Sequence, residues 1–195
     1  MQPVGLMLLA AGASTRLGQP KQLLPYRGRT LLRHAAEVAA ATGCIPLVLV
    51  TGALHKELLP EVGSLPFNIA HNVEWAEGMS SSIRTGLSCL EKQAPELGAA
   101  VVMVCDQPLL TADVLLRLIS QFQVTGQPLV ASAYAGVRGV PALFSREVFA
   151  ELRALRGPMG ARDLLRRYAY LPAVEFPGGV IDVDTTAQYA ALLAE

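Results

Sequence analysis

The chain has 195 residues, of which 52% are hydrophobic and 16% are charged, and this composition excludes a disordered protein because disorder requires low hydrophobicity and high charge. Its 16 basic and 16 acidic residues cancel to a net charge of zero, which disfavours a general nucleic-acid binder because such proteins carry a basic excess. We therefore expect one globular domain spanning residues 1–195, with any anion binding confined to a local site.

The N-terminal residues and the cysteines favour a cytoplasmic protein. The stretch before the first glycine loop lacks the basic region that opens a signal peptide. Residues 38–54 carry no charge, but Gly43, Pro46 and Gly52 divide them, which favours two core elements around a turn over a membrane span. The three cysteines are far apart in the chain: Cys44, Cys89 and Cys105. They fit neither a zinc pattern nor a disulfide framework, so we expect three buried thiols in a reducing compartment.

The hydrophobic pattern predicts alternating strands and helices as far as residue 134. The predicted strands are residues 4–10, 45–52, 67–72, 98–106 and 128–134. The predicted helices are residues 30–42, 54–60, 80–92 and 111–122. Thr30 and Thr111 are suited to cap the helices that follow them. The strand at 98–106 is a continuous apolar run, which is expected of a sheet that is covered on both faces.

Beyond Gly136 the alternation loosens. The pattern there predicts helices at about 146–154 and 159–168, a short strand near 180, and a last helix whose opening residues 185–188 fit a capping box. Strands that alternate with helices predict an α/β fold, a Rossmann-like three-layer sandwich around a mostly parallel, doubly wound sheet. Such sheets bind ligands at the carboxyl ends of their strands.

A loop with two cations follows the first strand, within "LLAAGASTRLGQPKQLLPY" at residues 8–26. Gly12 and its small neighbours let backbone N–H groups approach an anion, Arg16 offers a planar fork for phosphate oxygens, and Lys21 adds a point charge. The spacing matches neither a Walker loop nor the dinucleotide pattern GxGxxG. On these residues alone, the loop is either a phosphate site or a surface turn with two solvated cations.

Acids and small polar residues follow other strands that end at the same edge of the predicted sheet. Asp106 comes after the apolar run at 98–106 and is either a turn former or a functional acid. Asp182 and Asp184 would share one face if they lay on a strand, where one could face a ligand while the other caps a helix. The stretch "AEGMSSSIRTG" at 76–86 is either a crowded helix cap or part of a nucleotide site.

These stretches together resemble the MobA-like nucleotidyltransferases. "LAAGASTRLGQPKQLLPYRGRTLL" is similar to the family signature Leu-Ala-Ala-Gly-x-Ser-x-Arg-x-Gly-x-Pro-Lys-x-Leu-Leu. Further similar blocks are "NVEWAEGMSSSIRTGL", "VCDQPLLT", "GVPALF", "GARDLL" and "DVDTTAQY". Pro158 and Thr186 depart from the pattern, since members often carry an acid and a proline there. The resemblance covers essentially the full chain and implies a fold of the nucleotide-diphospho-sugar transferase type.

Within the family the chain is most similar to the cytidylyltransferases of the molybdenum cofactor. This resemblance implies transfer of CMP from CTP to the terminal phosphate of the molybdenum–molybdopterin cofactor, with release of pyrophosphate and with Mg²⁺ or Mn²⁺ as cofactor. Its Leu-Ala-Ala-Gly opening is associated with cytosine rather than guanine. A transient contact with a molybdoenzyme or its chaperone is implied, whereas nucleic acid and membrane are not expected as partners.

Two alternatives remain open on the sequence. One is another small-molecule nucleotidyltransferase, either a GTP-dependent cofactor guanylyltransferase or an enzyme acting on a sugar or polyol phosphate. The other is a non-catalytic chaperone that binds a nucleotide or cofactor for molybdoenzymes.

The resemblance also implies roles for individual residues. Catalytic roles fall on Arg16, Lys21 and Asp106, with Lys21 nearest the α-phosphate. The implied nucleotide-binding residues are Leu9, Ala10, Ala11, Gly12, Ala13, Ser14, Arg16, Lys21, Asn72, Gly78 and Ser82. The implied metal ligands are Asp106 and Asp182, with Asp182 preferred to Asp184. The implied acceptor side consists of Gly139, Pro141, Gly160 and Arg162.

Overall fold

Strands and helices alternate along most of the computed structural model, which describes residues 3–168, 170 and 172–194. The strands are β1 Val4–Leu9, β2 Pro25–Tyr26, β3 Arg29–Thr30, β4 Leu47–Thr51, β5 Phe67–His71, β6 Ala99–Val104, β7 Leu129–Tyr134, β8 Val137–Ser145 and β9 Ala173–Glu175. The α-helices are α1 Leu31–Ala40, α2 His55–Val62, α3 Met79–Gln93, α4 Ala112–Thr125, α5 Phe149–Ala154, α6 Arg162–Arg167 and α7 Thr186–Leu193. Short 3-10 helices lie at Lys21–Leu23, Trp75–Glu77, Arg146–Val148 and Pro177–Val180.

Seven strands form one sheet in the order β5-β4-β1-β6-β8-β7-β9. Every neighbouring pair is parallel except those that involve β8, which runs antiparallel to both β6 and β7. The prediction of a mostly parallel, doubly wound sheet is therefore confirmed. The parallel strands end at one common edge, and β8 reaches that edge with its amino-terminal residues because it runs the opposite way.

Helices cover both faces of the sheet, which explains the apolar runs in its strands. Leu6 and Leu8 of β1 point to one face and pack in a core with α1, α2 and α4. Met7 and Leu9 point to the other face and pack in a second core with α3, α5 and α6. The three-layer arrangement is thus confirmed, and the alternation of side chains along a buried strand supplies both cores.

Two helix starts show how local sequence acts in this fold. Thr30 caps α1 as predicted, since its side-chain oxygen accepts a hydrogen bond from the backbone N–H of Arg33 at 3.0 Å. The three serines do not cap the third helix. Gly78 occupies the N-cap position of α3 with no side-chain cap, and Ser80, Ser81 and Ser82 lie buried within the first turn.

The C-terminal third differs most from the prediction. The loosened region contains β8, a nine-residue strand, because pairing with β6 and β7 overrides the breaks that Gly139 and Pro141 suggest. The residues near 180 form a 3-10 helix, and the strand of this region is β9 at Ala173–Glu175. The helix expected at 159–168 is only Arg162–Arg167, since Gly160 just before it has a left-handed φ of 59°.

A small third core joins the two ends of the chain. It contains Leu17, Leu24, Tyr26 and Leu31 from the N-terminal part, and Val183 and Leu192 from the C-terminal part. Cys44 and Cys105 are buried, as expected, whereas Cys89 is only half-buried. Across the described residues, the helices are all too short or too polar to cross a lipid bilayer.

Candidate active site

The candidate site lies where β1 and β6 end side by side. Leu9 pairs with Val104 in the parallel register, so the segments that leave these two strands start next to each other. Residues 10–20, which we call the glycine loop, leave β1, and Asp106 follows β6 two residues after its last position. This is the edge at which parallel sheets bind ligands.

Four charged side chains meet at this edge and form what we call the charge cluster: Arg16, Lys21, Asp106 and Asp184. The Lys21 ammonium donates hydrogen bonds to Asp106 Oδ2 and, over 2.8 Å, to Asp184 Oδ1. Arg16 Nη2 lies 2.6 Å from the other oxygen of Asp184. The side chain of Lys21 is 17% exposed and that of Arg16 is 74% exposed. One cation is therefore fixed inside the site, and the other projects into solvent.

The charges in the cluster shift the proton affinities of its members. Burial alone would lower the pKa of Lys21, but the neighbouring Asp106 and Asp184 outweigh burial and raise this pKa well above its ordinary value. Burial opposes ionisation of Asp184 too, yet its hydrogen bonds and charge interactions with Lys21 and Arg16 lower the pKa of this carboxyl. Asp182 has the opposite shift, because burial and the charges of Asp184 and Asp106 raise its pKa.

The C-terminal residues enter the site through one backbone contact. Val183 is fully buried, and its N–H donates to the carbonyl oxygen of Asp106 at 3.1 Å. The two flanking acids then take different partners. Asp184 faces Lys21, whereas Asp182 Oδ1 accepts a 2.8 Å hydrogen bond from the side-chain amide of Gln188. These residues are not in a strand, so the alternation argument for Asp182 and Asp184 does not apply to them.

The donor chemistry of the cluster fits a divalent cation. The carboxylates of Asp106 and Asp184 already converge on one positive charge, the Lys21 ammonium, and carboxylate oxygens are the ligands that Mg²⁺ and Mn²⁺ prefer. Within residues 3–168, 170 and 172–194, no group of three or more His, Cys, Asp or Glu side chains is arranged to hold a metal.

The glycine loop is held open by side-chain contacts. Ser14, which has a left-handed φ of 55°, accepts a hydrogen bond from the backbone N–H of Lys21. A Cβ added at Gly12 would meet no atom within 4 Å, so open space lies beside the loop. In the described part of the chain, the backbone N–H groups of Gly12 and Ala13 have no hydrogen-bond acceptor. Leu9 at the end of β1 and the first two residues of the loop, Ala10 and Ala11, are buried.

A second group of predicted residues lies at the start of α3. The buried amide of Asn72 donates to the hydroxyl oxygens of Ser81 and Ser82 at 2.9 and 3.0 Å. These polar atoms therefore hold the turn into α3. Gly78 has a left-handed φ of 115°, and a Cβ there would lie 2.5 Å from the Cα of Pro158. The structure thus brings this turn against residues 157–160.

The residues implied for the acceptor side come from three segments. Gly139 packs against Tyr134, whose hydroxyl oxygen would lie 2.1 Å from a Cβ at Gly139. The Tyr134 hydroxyl donates to the carbonyl oxygen of Val140, next to Pro141. Gly160 packs against Met79, and Arg162 is an exposed residue at the first position of α6. None of these packing contacts by itself identifies a ligand.

Two buried glutamines at the site were not singled out in the sequence. Gln22 and Gln107 are 1% and 6% exposed, and each donates hydrogen bonds to two backbone carbonyl oxygens. In the sequence, only their positions point to these glutamines, because each directly follows a charged residue of the cluster, Lys21 or Asp106. Composition does not reveal such residues, since glutamine is ordinarily a surface residue.

Comparisons with known proteins agree with this architecture. The family model of the MobA-like NTP transferase domain matches residues 6–172. A nicotine blue oxidoreductase of Paenarthrobacter nicotinovorans is 34% identical over 96% of this chain and 95% of its own length. The molybdenum cofactor cytidylyltransferase of Escherichia coli K12 is 25% identical over 95% and 93% of the two chains.

Solved structures give the same result. Rv0371c of Mycobacterium tuberculosis H37Rv superposes with a TM-score of 0.84 and 32% identity, covering 100% of this chain and 98% of that one. Its manganese complex has a TM-score of 0.77 and 29% identity over 100% and 99% of the two chains. The fold is that of the nucleotide-diphospho-sugar transferases.

Proposed function

This chain belongs to the MobA-like NTP transferase family and is a nucleotidyltransferase, and we propose that it transfers CMP from CTP to the terminal phosphate of a molybdenum–molybdopterin cofactor. The observation that supports this proposal is the charge cluster at the ends of β1 and β6. Two cations and two carboxylates lie beside a loop with unpaired backbone N–H groups. Such a set of groups suits a triphosphate and its counter-ion.

The reaction is an in-line exchange of two phosphorus–oxygen bonds. An oxygen of the acceptor's terminal phosphate forms a bond to the α-phosphorus of CTP, and the bond from that phosphorus to the bridging oxygen of the β-phosphate breaks. Pyrophosphate carries away the bonding electrons. Such a transfer needs little covalent help from a protein, and its rate depends on positioning and on stabilising charge at the phosphates.

We assign the positive groups of the site to the triphosphate. Gly12 and Ala13 would donate their backbone N–H groups to phosphate oxygens. The fixed ammonium of Lys21 would lie at the α-phosphate, where charge changes during the reaction, and the exposed guanidinium of Arg16 would reach the β- and γ-phosphates. Asn72, Gly78 and Ser82 would shape the site near the base and ribose.

Asp106 and one C-terminal acid would hold a divalent cation, Mg²⁺ or Mn²⁺. When bound, such an ion supplies charge neutralisation to the phosphate oxygens. Asp182 is the second ligand that the family resemblance favours, and Asp184 is the acid that lies against Lys21. For the Lys21 ammonium to leave Asp106 and Asp184, a phosphate must offer it a better partner, so we infer that nucleotide and metal enter together.

The acceptor would bind between β8 and the turn before α6. The acceptor side of the site would consist of Gly139 and Pro141 on β8 and of Gly160 and Arg162 on the other segment. Arg162 is exposed and has no ion-pair partner among the described residues, which leaves its guanidinium available to an acceptor phosphate. A transient contact with the molybdoenzyme that receives the product would follow from the same proposal.

The higher identity to the nicotine blue oxidoreductase favours a second candidate, reduction of a dye of that kind. Fixed ionic groups beside an open loop suit the phosphates of a nucleotide, so we place this candidate second. Loss of nicotine blue colour in the presence of reduced nicotinamide nucleotides would support it.

The proposed function is tested by pyrophosphate release from CTP, GTP, ATP and UTP, each with Mg²⁺ and each with and without purified molybdopterin cofactor. We expect release from CTP only when the cofactor is present, and tighter binding of CTP than of GTP in titration calorimetry. A preference for GTP would replace the cytidylyl assignment with a guanylyl one. Binding of a nucleotide without release under any condition would favour a non-catalytic chaperone.

A further inference from the structure

Each of the two central charges of the site is followed in sequence by a buried glutamine. Lys21 precedes Gln22 and Asp106 precedes Gln107, and the two glutamines are 1% and 6% exposed. Buried glutamines are uncommon because their amides must find partners away from water. Two such residues, each next to a charge of the same cluster, indicate a shared purpose in the site.

The amide of Gln22 ties together the glycine loop. Its Nε2 donates to the carbonyl oxygens of Ala10 at 3.2 Å and Gly12 at 2.7 Å, and its Oε1 accepts from the hydroxyl of Ser14 at 3.0 Å. The Ser14 hydroxyl oxygen in turn accepts from the backbone N–H of Lys21. The two ends of the loop and the backbone of the lysine are therefore fixed through one side chain.

The amide of Gln107 ties together two segments on the other side of Asp106. Its Nε2 donates to the carbonyl oxygen of Val140 in β8 at 3.1 Å and to that of Gly179 at 3.3 Å. Tyr134 donates to the same Val140 oxygen at 3.2 Å. Among the residues that the structure describes, the hydrogen bonds of Gln107 go to Val140 and Gly179 and not to the glycine loop.

Gln107 carries a feature that stability alone does not explain. Its Oε1 is buried and has no hydrogen-bond partner among the described residues. A buried acceptor left unpaired costs free energy, so an apolar side chain of similar size would serve the core better. The two hydrogen bonds that Nε2 donates are what the glutamine adds at this position.

We propose that Gln22 and Gln107 are positioning residues that serve separate halves of the site. Gln22 fixes the loop that holds the nucleotide relative to Lys21. Gln107 fixes the acceptor side, through Val140 and Gly179, relative to Asp106. Neither side chain touches the reacting atoms. The identity of the substrate in each half rests on the proposed function, whereas the division into halves rests on the hydrogen bonds.

The test compares Gln22→Met with Gln107→Met, because methionine keeps the length of the side chain and removes the donor. Gln93→Met, at the exposed end of α3, makes the same chemical change away from the site. Titration calorimetry with Mg²⁺–CTP and Mg²⁺–GTP gives the nucleotide affinity, and pyrophosphate release against molybdopterin concentration gives the acceptor KM. Amide hydrogen exchange reports local opening in each half.

We expect Gln22→Met to weaken nucleotide binding about tenfold and to leave the acceptor KM near its wild-type value. We expect Gln107→Met to raise the acceptor KM about tenfold at unchanged nucleotide affinity. Exchange should rise at residues 10–14 in the first variant and at the amides of residues 139, 140 and 178–183 in the second. If Gln107→Met does not fold, Tyr134→Phe, which removes the other hydrogen bond to Val140, takes its place.

The inference is overturned if both variants change both substrates alike, as a general loss of stability would do, or if neither differs from Gln93→Met. Failure of the proposed function has a separate signature, which is a wild-type protein that releases no pyrophosphate from CTP with molybdopterin. In that case nucleotide affinity still decides the role of Gln22, and the exchange contrast decides the division into halves.

Discussion

Among single residues, Lys21 is held in place from two sides, because its ammonium lies between the carboxylates of Asp106 and Asp184. A fixed point charge has its greatest effect where charge changes during the reaction. Arg16 shares Asp184 with Lys21 but is largely exposed, so it is free to follow a ligand. We infer that the two cations act at different stages, Arg16 in binding and Lys21 in the reaction itself.

Lys21→Ala should therefore lower kcat strongly while nucleotide affinity falls only modestly, because the α-phosphate gains its critical contact in the transition state. Arg16→Ala should raise the nucleotide dissociation constant as well, at a cost of about 1.5–3 kcal/mol for a lost charge-assisted contact. Steady-state kinetics and titration calorimetry measure both effects. Lys56→Ala, an exposed change on α2, serves as the control. Wild-type rate and affinity in both variants would make the loop a surface turn.

Asp106→Asn keeps the shape of the side chain and removes its charge. We expect turnover to fall by about two orders of magnitude, which is typical when a charge-stabilising group is lost. The circular dichroism spectrum should stay that of the wild type. Asp113→Asn, an exposed acid on α4, should leave turnover unchanged. Near-normal turnover of Asp106→Asn at saturating Mg²⁺ would contradict a role for this carboxylate in metal binding.

At the level of elements, the segment before α7 presents two acids of opposite character. The pKa of Asp184 is lowered by its cationic partners despite burial. The ionised carboxylate therefore stabilises the fold at pH values above its ordinary pKa of 3.8, and this stabilisation is lost as the pH falls through the lowered pKa of the folded state. The pKa of Asp182 is raised by burial and by neighbouring acids, so its contribution is present at low pH and is lost as the pH rises through its folded value.

Neutralising these two acids should therefore have opposite effects at neutral pH. Asp182→Asn should raise the melting temperature by about 1–2 °C, because it removes a charge that the folded state disfavours and keeps an acceptor for Gln188. Asp184→Asn should lower the melting temperature, since Lys21 and Arg16 lose a partner. Calorimetric scans from about pH 8 down to about pH 2 should show the Asp182→Asn difference shrinking first, as Asp182 is protonated, and the Asp184→Asn difference shrinking only below the ordinary pKa of 3.8. Effects of the same sign would refute the assignment.

The start of α3 depends on a glycine for two reasons. Gly78 has a φ of 115°, and a Cβ there would come within 2.5 Å of the Pro158 Cα. Gly78→Ala should therefore destabilise the protein by about 2 kcal/mol or more, measured by urea unfolding. Gly63→Ala is the matched control, since Gly63 has an ordinary φ of −59° and its nearest contact to a Cβ would be 3.8 Å. Equal effects at both positions would exclude a special requirement for glycine at 78.

Sequence patterns predicted those elements whose cause is local. The apolar run of β6 and the cap at Thr30 depend on neighbouring residues. The grouping of charged residues at one edge follows from the parallel direction of the strands, which end there together. The contacts of Gln107 were not predictable, because its partner carbonyls lie 33 and 72 residues along the chain. Likewise β8 was not predicted, because its pairing with distant strands, rather than its Gly and Pro content, determines its conformation.

Across the whole molecule, the third core connects both ends of the chain to the active site. Leu17 in the glycine loop and Val183 between the two acids pack in one cluster with Leu192 of α7. The two large cores build the sheet sandwich, whereas this small one sets the C-terminal acids against the loop. We therefore expect stability and activity to be coupled through residues that are distant in sequence.

Leu192→Ala tests this coupling. Leu192 is 5% exposed, and loss of its side chain should destabilise the protein by about 2–4 kcal/mol and reduce turnover, because Val183 and Asp184 lose support. Its neighbour Leu193 is 56% exposed on the same helix, and Leu193→Ala should change neither property. Chemical unfolding and steady-state kinetics measure the two effects. Full activity of a clearly destabilised Leu192→Ala would separate the third core from the site.

The reversed direction of β8 has a consequence for how this scaffold can diversify. Because β8 runs against its neighbours, residues 139–141 reach the ligand edge from a part of the chain that is separate from residues 9–21 and 72–82. If residues 139–141 bind the acceptor as proposed, insertions, deletions or exchange of the segment between β7 and β9 would change the acceptor while leaving the nucleotide-binding residues in place. A chimera carrying residues 129–175 of a relative would be the natural starting point for such engineering.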